Sequence, residues 1–463
     1  MKKQLDAFFD VLQVLVFSCR FLNAGYFYHL SGIRQRRFAV FKTRYKKIES
    51  SSDIAFQKFG NELNEWWPKE YTWWQEKLKE IITNEKKTDF VWKLGRMITI
   101  EDMLKKILIG LGIAVGLVVL TGAFGMYYFL PSEDKVLDFI KSNPDKSAIL
   151  LIRNDMTFAE QNIDKVMPLA STVKIIVAIE YAEQSANGQL NPDELVQISD
   201  LDKFYIPNTD GGAHPSWLKS VRDKITEDKI SIREIAKGMI KFSSNANTEW
   251  LLNELGIEKV NNRVDSLGLK NHTEIYNVVS ALFVGKEKFP GLKGKELQKK
   301  LIGLSQSEYI TATKEIHQKL FADTLYKKDI GELGMDIQKI WSDRLPASTV
   351  AEYVSVMKKI NSRTYFSETS QKYLDEVMEF ILENPANKKW LEHSGMKGGS
   401  TAFVLTKALY ATDKKGNKTE LAYFFNNLSA LEKAKLQLSM NEFELKIMTN
   451  QEFREKVKTE LVE

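Results

Sequence analysis

The sequence is poor in cysteine and histidine. Cys19 is its single cysteine, which excludes an intrachain disulfide framework and a cysteine-rich metal site. The five histidines are scattered and form no His-Glu-x-x-His or similar pair. Because metal centres in proteins draw their ligands from such clusters, we expect no metal and no cofactor.

Most of the chain carries no excess of basic over acidic residues. The net charge of +5 divides into +7 for residues 1–106 and −2 for residues 107–463. Nucleic-acid-binding domains carry a basic patch on the folded part, so this distribution argues against a nucleic-acid partner. Hydrophobic residues make up 43% and charged residues 27%, which excludes a disordered or collagen-like chain.

One long uncharged run interrupts this ordinary composition, at residues 107–130. A helix of 24 residues crosses the ~30 Å hydrocarbon core with some tilt, whereas a buried core helix, the alternative, rarely runs so far without a polar break. Two lysines precede the run and an aromatic Tyr-Tyr-Phe group ends it, as at membrane boundaries. We expect one transmembrane helix at 104–130, with residues 1–103 in the cytoplasm and residues 131–463 outside.

The region before this run carries no motif for catalysis. Residues 34–47 hold seven basic side chains and no acid, a composition that favours contact with anionic lipid of the inner leaflet, although a solvated basic face fits as well. Five of the nine tryptophans lie between Trp66 and Trp92, which favours helices at the membrane interface or against a protein partner. We expect a helical cytoplasmic region whose partner stays open.

Strand and helix patterns beyond residue 131 predict an α/β (α+β) fold. Residues 147–153 and two late runs, 402–411 and 419–426, are typical of strands, and Asp-Lys-Lys-Gly-Asn between the late runs predicts a hairpin turn. A polar, helix-patterned region fills residues 195–385, and an amphipathic helix closes the chain. The two chain ends therefore form one antiparallel sheet that helices flank, with an all-helical subdomain inserted in the middle.

The first of three short patterns is Ser171-Thr-Val-Lys174, in an apolar helix predicted over residues 165–187. The i, i+3 spacing puts serine and lysine on one helix face. A lysine whose pKa is lowered by burial is the base that a serine nucleophile needs, and the N–H groups at a helix start suit an oxyanion. Other Ser-x-x-Lys sequences occur, but only this one opens an apolar helix.

The second and third patterns are Ser243-Ser244-Asn245, between two predicted helices, and Lys397-Gly-Gly-Ser400, before a late strand. In the second, a serine can relay a proton and an asparagine amide can hold a substrate amide; capping of the next helix is the structural alternative. In the third, glycines admit a ligand to a strand edge and lysine fixes a carboxylate; an ordinary turn is the alternative.

Together the three patterns occur once in this order. They resemble the S-x-x-K, S-D-N and K-T-G signature of class A β-lactamases and penicillin-binding proteins. The resemblance runs from about residue 133 to the C-terminus and is closest to the class A catalytic domain. It implies Ser171 as the acylated nucleophile, Lys174 as its base and Ser243 as a proton shuttle. It also implies Lys397 as a carboxylate anchor and electrostatic support. The catalytic residues so implied are Ser171, Lys174, Ser243 and Lys397, and the substrate-binding residues are Asn245, Gly399, Ser400 and Thr401.

The sequence departs from that signature within the motifs. Ser244 stands where the family has aspartate, and Gly398 stands where a hydroxyl residue is usual. Ser400 or Thr401 is the candidate to replace that hydroxyl. The resemblance also implies an oxyanion hole formed by the backbone N–H groups of Ser171 and Ser400.

A larger departure concerns the glutamate that activates the deacylating water in class A enzymes. At the comparable place, residues 276–285 contain no acid, and Glu274 and Glu287 nearby belong to no recognisable motif. The stretch up to Asp343 is also long for the family, as if dozens of residues were inserted. Without a positioned base an acyl-enzyme persists, so the resemblance implies acylation without fast β-lactam hydrolysis.

The sequence thus predicts a membrane-anchored serine hydrolase of β-lactamase type that acts on a β-lactam or related amide or ester through an acyl-serine. A D,D-carboxypeptidase or transpeptidase acting on peptidoglycan stem peptides fits the same residues, as does a non-hydrolytic sensor of β-lactams or the cell wall. The oligomeric state stays open.

Overall fold

The computed structural model describes residues 128–323, 325–331 and 333–461. The N-terminal region 1–103 and nearly all of the predicted transmembrane segment lie outside the described residues. Within the described ranges, no helix is both long and apolar enough to cross a membrane.

The described residues form nine strands. They are β1 (Ser147–Arg153), β2 (Met156–Gln161), β3 (Met167–Pro168), β4 (Leu195–Gln197), β5 (Lys229–Ser231), β6 (Ala347–Ser348), β7 (Leu391–Ser400), β8 (Leu405–Asp413) and β9 (Lys418–Phe425). Five of them form one antiparallel sheet in the order β2-β1-β9-β8-β7, while β3 pairs with β6 and β4 with β5. Both chain ends contribute to the main sheet, as predicted.

Helices cover both faces of this sheet. They are α1 (Asp134–Ser142), α2 (Lys174–Ala186), α3 (Ile198–Asp202), α4 (Ala213–Ser220), α5 (Ile232–Lys241), α6 (Asn245–Leu255), α7 (Ile257–Ser266), α8 (Val284–Lys288), α9 (Gly294–Ile302), α10 (Gln306–Ala322), α11 (Met335–Arg344), α12 (Val350–Ser362), α13 (Glu368–Met378), α14 (Pro385–Lys388), α15 (Ala430–Thr449) and α16 (Gln451–Leu461). The terminal helices α1, α15 and α16 share one apolar core with the sheet, and α2, α5, α6 and α12 belong to the larger core on its other face. Because each face has such a cover, β9 is buried along almost its whole length.

The predicted antiparallel sheet flanked by helices is confirmed, and helices α3 to α13 fill most of the middle of the chain. The prediction that this middle region is all-helical is wrong, because β4 and β5 pair within it. The early strand has the predicted bounds, and the late strands lie within three residues of theirs, with the hairpin turn between them as expected. The last helical region, which the sequence pattern predicts after Asn441, starts earlier, at Ala430, because Ser429 and Glu432 form a capping box there.

Two predictions near the candidate site are wrong in their bounds. The helix predicted over residues 165–187 begins only at Lys174, because Met167 and Pro168 pair with β6 and Ala170 takes a left-handed φ of 46°. The Lys397-Gly-Gly-Ser400 pattern does not precede a strand but ends one, β7. The alternative of an ordinary turn is thus excluded, and one of the two glycines, Gly399, serves close packing at the sheet edge.

Candidate active site

The three sequence patterns meet at one cleft of about 650 Å³. Ser171 and Lys174 lie at its base, Ser243 and Asn245 on one side, and residues 398–401 of the sheet edge on another. The cleft is closed further by α11 of the inserted helices and by α15 of the C-terminal pair. The structure therefore brings together residues that the sequence separates by more than 220 positions.

A short 3-10 turn, Ala170–Val173, presents Ser171 to the cleft. The hydroxyl of Thr172 lies 2.8 Å from that of Thr406 on β8, and Thr406 donates to the carbonyl of Leu169 at 2.7 Å. These buried hydrogen bonds hold both flanks of Ser171 against the sheet. The Ser171 side chain itself stays partly exposed, as an attacking hydroxyl must.

Gly399 lets β7 approach this turn. A Cβ at residue 399 would lie 2.4 Å from the Leu169 carbonyl oxygen and 2.7 Å from the Ser171 backbone nitrogen, distances that only glycine allows. At Gly398 the nearest atom is the Thr406 carbonyl oxygen at 3.4 Å, an ordinary contact. Residue 398 therefore has room for a side chain, and residue 399 has none.

This contrast makes a matched pair of variants. We expect Gly399→Ala to push the Ser171 turn away from β7, to slow acylation of Ser171 about 100-fold by displacing its N–H, and to lower the free energy of unfolding by about 1–3 kcal/mol. Gly398→Ala is the control and should change the free energy of unfolding by less than about 1 kcal/mol. Denaturant unfolding and penicillin labelling rates measure both; equal effects of the two variants would contradict the packing argument.

Lys174 is almost completely buried, and its ammonium faces the second pattern. Its Nζ donates to the Ser243 carbonyl at 2.7 Å and to Asn245 Oδ1 at 2.8 Å, and lies 3.4 Å from Ser243 Oγ. Burial lowers the pKa of Lys174 to about 7, although the negative charges of Asp210 and Glu249 oppose the shift. None of the hydrogen bonds that the described structure gives Lys174 Nζ goes to Ser171; the contact between the two residues is the backbone N–H of Lys174, which donates to the Ser171 carbonyl.

Ser243 Oγ lies between two lysines. It accepts one hydrogen bond from Lys397 Nζ at 3.0 Å and one from Lys174 Nζ. The backbone of Ser243 has a φ of 67°, a left-handed conformation that the surrounding structure has to hold in place. Burial, followed by the charges of Lys174 and Lys407, lowers the pKa of Lys397 well below its usual range. Because Lys397 is buried and points at Ser243 and the Gly398 carbonyl, its contacts favour electrostatic support over direct contact with a substrate carboxylate.

Ser244, which stands in the place of an aspartate, caps the following helix. Its Oγ accepts the N–H of Asn247 at 3.2 Å and lies 2.9 Å from Nδ1 of the fully buried His214. The other ring nitrogen of His214 lies 3.3 Å from Asp202. The capping alternative is thus confirmed for this residue, and His214 supports the motif although no pattern in the sequence marks it.

Only one of the two hydroxyls that follow Gly399 is available to a ligand. Thr401 Oγ1 accepts the N–H groups of Phe403 and Val404 at 3.0 and 3.1 Å and shares a 2.7 Å hydrogen bond with Ser342. Ser400 is exposed and makes one long contact of 3.4 Å, to the Thr401 carbonyl. Ser400 is therefore the better replacement for the hydroxyl missing at residue 398.

The side of the cleft where a deacylating glutamate was sought is apolar. Tyr276, Val278, Trp341 and Leu345 line it, and the indole N–H of Trp341 donates to the Val278 carbonyl at 3.0 Å. Trp341 comes from the insertion, so no local pattern connects it with this wall. Among the described residues that line the cleft, Asp210 is the single acid, and its two oxygens accept backbone N–H groups at the start of α4.

The two nearby glutamates lie elsewhere. Glu274 is half-exposed and pairs with Lys314 at 3.2 Å, and Glu287 pairs with Lys319 and accepts the hydroxyl of Tyr326. The Lys319 partner is the main cause that lowers the pKa of Glu287. Neither carboxylate lines the cleft, so neither is placed to activate a water beside Ser171.

Positive charge dominates the cleft. Lys407 of β8 lines it and pairs with Glu444 at 3.4 Å behind it. Lys433 of α15 also lines it, and its ammonium meets no acceptor among the described residues. These two lysines outnumber the single acid among the described lining residues, Asp210, so the cleft suits an anionic substrate. The sequence motifs marked neither Lys407 nor Lys433.

One group of side chains outside the cleft has the types that ligate metals. Asp375, Glu379 and His393 bring one ligand atom each within 4.8 Å of one another. The guanidinium of Arg363 already pairs with Asp375 at 2.6 Å and with Glu379 at 3.6 Å. Arg363 thus supplies the positive charge that these carboxylates need, and a metal ion would have to displace it.

A family profile and several solved structures are similar to this chain. A sequence profile described as the beta-lactamase enzyme family matches residues 131–380. Among the curated proteins compared, none matches this chain.

Similar solved structures include a beta-lactamase from Chitinophaga pinensis, 14% identical with a TM-score of 0.42, where the similarity covers 68% of this chain and 98% of that one. They also include a class A beta-lactamase from Bacteroides cellulosilyticus, 19% identical with a TM-score of 0.39 and coverage of 68% and 99%. The protein PBP-A is 13% identical with a TM-score of 0.41 and coverage of 67% and 94%. Since the profile matches more than half of its residues, the chain belongs to the beta-lactamase enzyme family.

Proposed function

We propose that this chain is a membrane-anchored serine hydrolase that forms an acyl-enzyme at Ser171 with a β-lactam or a related amide or ester and releases it slowly. One observation carries the proposal: the cleft combines an exposed serine, a buried lysine of lowered pKa and a lysine-bridged second serine, with Asp210 as the single acid among its described lining residues. These groups supply acylation, and no carboxylate is positioned for rapid hydrolysis.

In the acylation step, Ser171 Oγ attacks the substrate carbonyl carbon and its proton moves to the neutral amine of Lys174. The amine reaches Ser171 by a rotation of its side chain away from the Ser243 and Asn245 oxygens that it contacts in the free protein. The carbonyl oxygen becomes an oxyanion, which the N–H groups of Ser171 and Ser400 stabilise. Ser243 passes its hydroxyl proton to the leaving nitrogen and receives in turn the proton that Lys174 took from Ser171, which restores the neutral amine. Lys397 stabilises the negative charge that develops on Ser243 during this relay, and the oxyanion returns to a carbonyl as the carbon–nitrogen bond breaks.

The walls of the cleft define the substrate that we propose. Lys407 and Lys433, with the hydroxyl of Ser400, supply donors for a carboxylate. Tyr276, Trp341 and the other apolar residues opposite supply a surface for the acyl side. An amide that carries an apolar acyl group and a carboxylate beyond the scissile bond has both features, and β-lactams belong to this class.

A D,D-carboxypeptidase or transpeptidase is the second candidate. It uses the same acyl-serine, and one observation favours it: the outer edge of β7 carries no further strand and borders the cleft, so a peptide can pair with it. Its carboxy-terminal D-amino acid would supply the carboxylate that the lysines bind. Peptidoglycan stem peptides are such substrates.

Intact-mass analysis over time separates these functions. The full chain in a non-ionic detergent is mixed with a penicillin, and the mass of the adduct and the release of hydrolysed product are followed together. We expect an adduct that persists for hours with little product. Fast product release that Asp210→Asn slows would identify a β-lactamase with Asp210 as its base. No adduct would move the substrate away from β-lactams altogether.

The membrane topology belongs to the same proposal, and the single native cysteine provides its test. We expect a membrane-impermeant maleimide on intact cells to leave Cys19 unlabelled, because residues 1–103 face the cytoplasm in this topology. A cysteine introduced by Lys372→Cys on an exposed helix face should be labelled in the same cells. Labelling of Cys19 before lysis would contradict the orientation, and lysed cells in which both label provide the control.

A further inference from the structure

A second cavity lies at the far end of the sheet and shares no lining residue with the active-site cleft. It measures about 670 Å³ and opens between the β1–β2 turn, the β8–β9 turn and the junction of α15 and α16. Arg153, Arg454 and Trp390 lie among its walls. No sequence motif marks it, since its residues come from four separate segments.

Two buried guanidinium groups face this cavity, and only one of them has an acidic partner. Arg153 is 9% exposed, donates to Thr419 and pairs with Asp413 at 3.2 Å. Arg454 is also 9% exposed and donates from Nη1 to the Ile447 carbonyl at 2.8 Å. Its other N–H groups meet no acceptor among the described residues. A buried guanidinium without a carboxylate partner carries a desolvation cost that a bound anion offsets.

Among the described residues no carboxylate forms an ion pair with Arg454, and the more distant charges of Glu455 and Asp413 only oppose the lowering of its pKa by burial and by Arg153. Asp413 is engaged in its own turn, where it accepts the N–H groups of Lys415 and Asn417, both at 2.9 Å. The other acid on the wall, Glu455, is exposed on the surface of α16. Three exposed lysines without an ion pair among the described residues complete the rim: Lys389, Lys414 and Lys415. Five cationic side chains thus face two carboxylates.

We propose that this cavity binds a phosphoryl group. The planar fork of Arg454 offers paired N–H donors at the floor, and the lysines at the rim supply the point charges that a doubly charged oxyanion attracts. A carboxylate would neutralise one cation and leave the rest. Met156, Phe158 and Trp390 give the same cavity an apolar side, so the phosphoryl group can belong to a lipid headgroup or be free phosphate.

The test is a titration of the full chain in a non-ionic detergent at constant ionic strength. It is made once with protein acylated by penicillin and once with unreacted protein. Inorganic phosphate is one probe and dihexanoyl phosphatidylglycerol the other, and calorimetry measures both affinities. We expect saturable binding that Arg454→Gln weakens about tenfold. Tighter binding of the lipid than of phosphate identifies a headgroup as the source, and equal or weaker binding identifies free phosphate.

Two variants control for folding and for bulk charge. Because Arg454 is buried, the pair Lys414→Gln and Lys415→Gln on the exposed turn tests the same site without touching the core, and it should weaken binding too. Lys372→Gln removes the same kind of charge at an exposed residue that does not line the cavity and should leave the affinity unchanged. Absence of saturable binding, or equal weakening by Lys372→Gln, overturns the proposal, and neither result depends on the chemistry at Ser171.

Discussion

Replacement of Ser171 by alanine is expected to abolish covalent labelling by penicillin and to leave the fold intact. The substitution removes the only atom that we assign to the attack, Oγ, while the hydrogen bonds that hold the turn come from Thr172 and Thr406. Ser171 is partly exposed, so the free energy of unfolding should change by less than about 1 kcal/mol. Intact mass reports the adduct, and thermal unfolding reports the fold.

The chain carries its own control for this experiment. Ser216 and Lys219 form another Ser-x-x-Lys pair, on an exposed face of α4. Ser216→Ala should therefore label at the rate of the unaltered protein. Labelling of the Ser171→Ala variant at its usual rate would show that another residue is the nucleophile, and peptide mapping of the adduct would then find it.

The second large effect that we expect is a slower acylation when the Lys174 amine is removed. Lys174→Ala should slow acylation by about 100-fold or more, because the serine then attacks without a base. The buried lysine also holds the carbonyl of Ser243 and the amide of Asn245, so its removal disturbs the second motif as well. Lys174→Met keeps most of the side-chain volume and separates the lost base from a lost packing contact.

The pH dependence tests the same amine without any substitution. Burial lowers the pKa of Lys174 to about 7, and only the neutral amine accepts a proton. The acylation rate should therefore fall about tenfold for each pH unit below 7 and level off above it. A rate that rises on acidification, or an unchanged rate in both Lys174 variants, would remove this residue as the base. Lys219→Ala provides the exposed control and should leave the profile unchanged.

The sequence alone marked the candidate reacting groups and predicted three strands of the main sheet. Ser171, Ser243 and Lys397 stand in short motifs whose residue types report their chemistry. The first strand and the late hairpin follow from apolar alternation and turn residues. Each of these features depends on residues that are close together in the sequence, so the sequence by itself is enough to predict it. The membrane segment and the cytoplasmic region rest on sequence too, and they stay predictions.

Tertiary structure alone decided which of these groups touch. It turned Lys174 toward Ser243, buried Lys397 beneath the same serine, and brought Trp341 from the insertion to the wall where a glutamate was sought. It also showed why residue 399 is glycine, since the atoms that exclude a side chain belong to the turn around Ser171. Such contacts join residues far apart in the chain, and periodicity reports only which face of an element is buried, never what it is buried against.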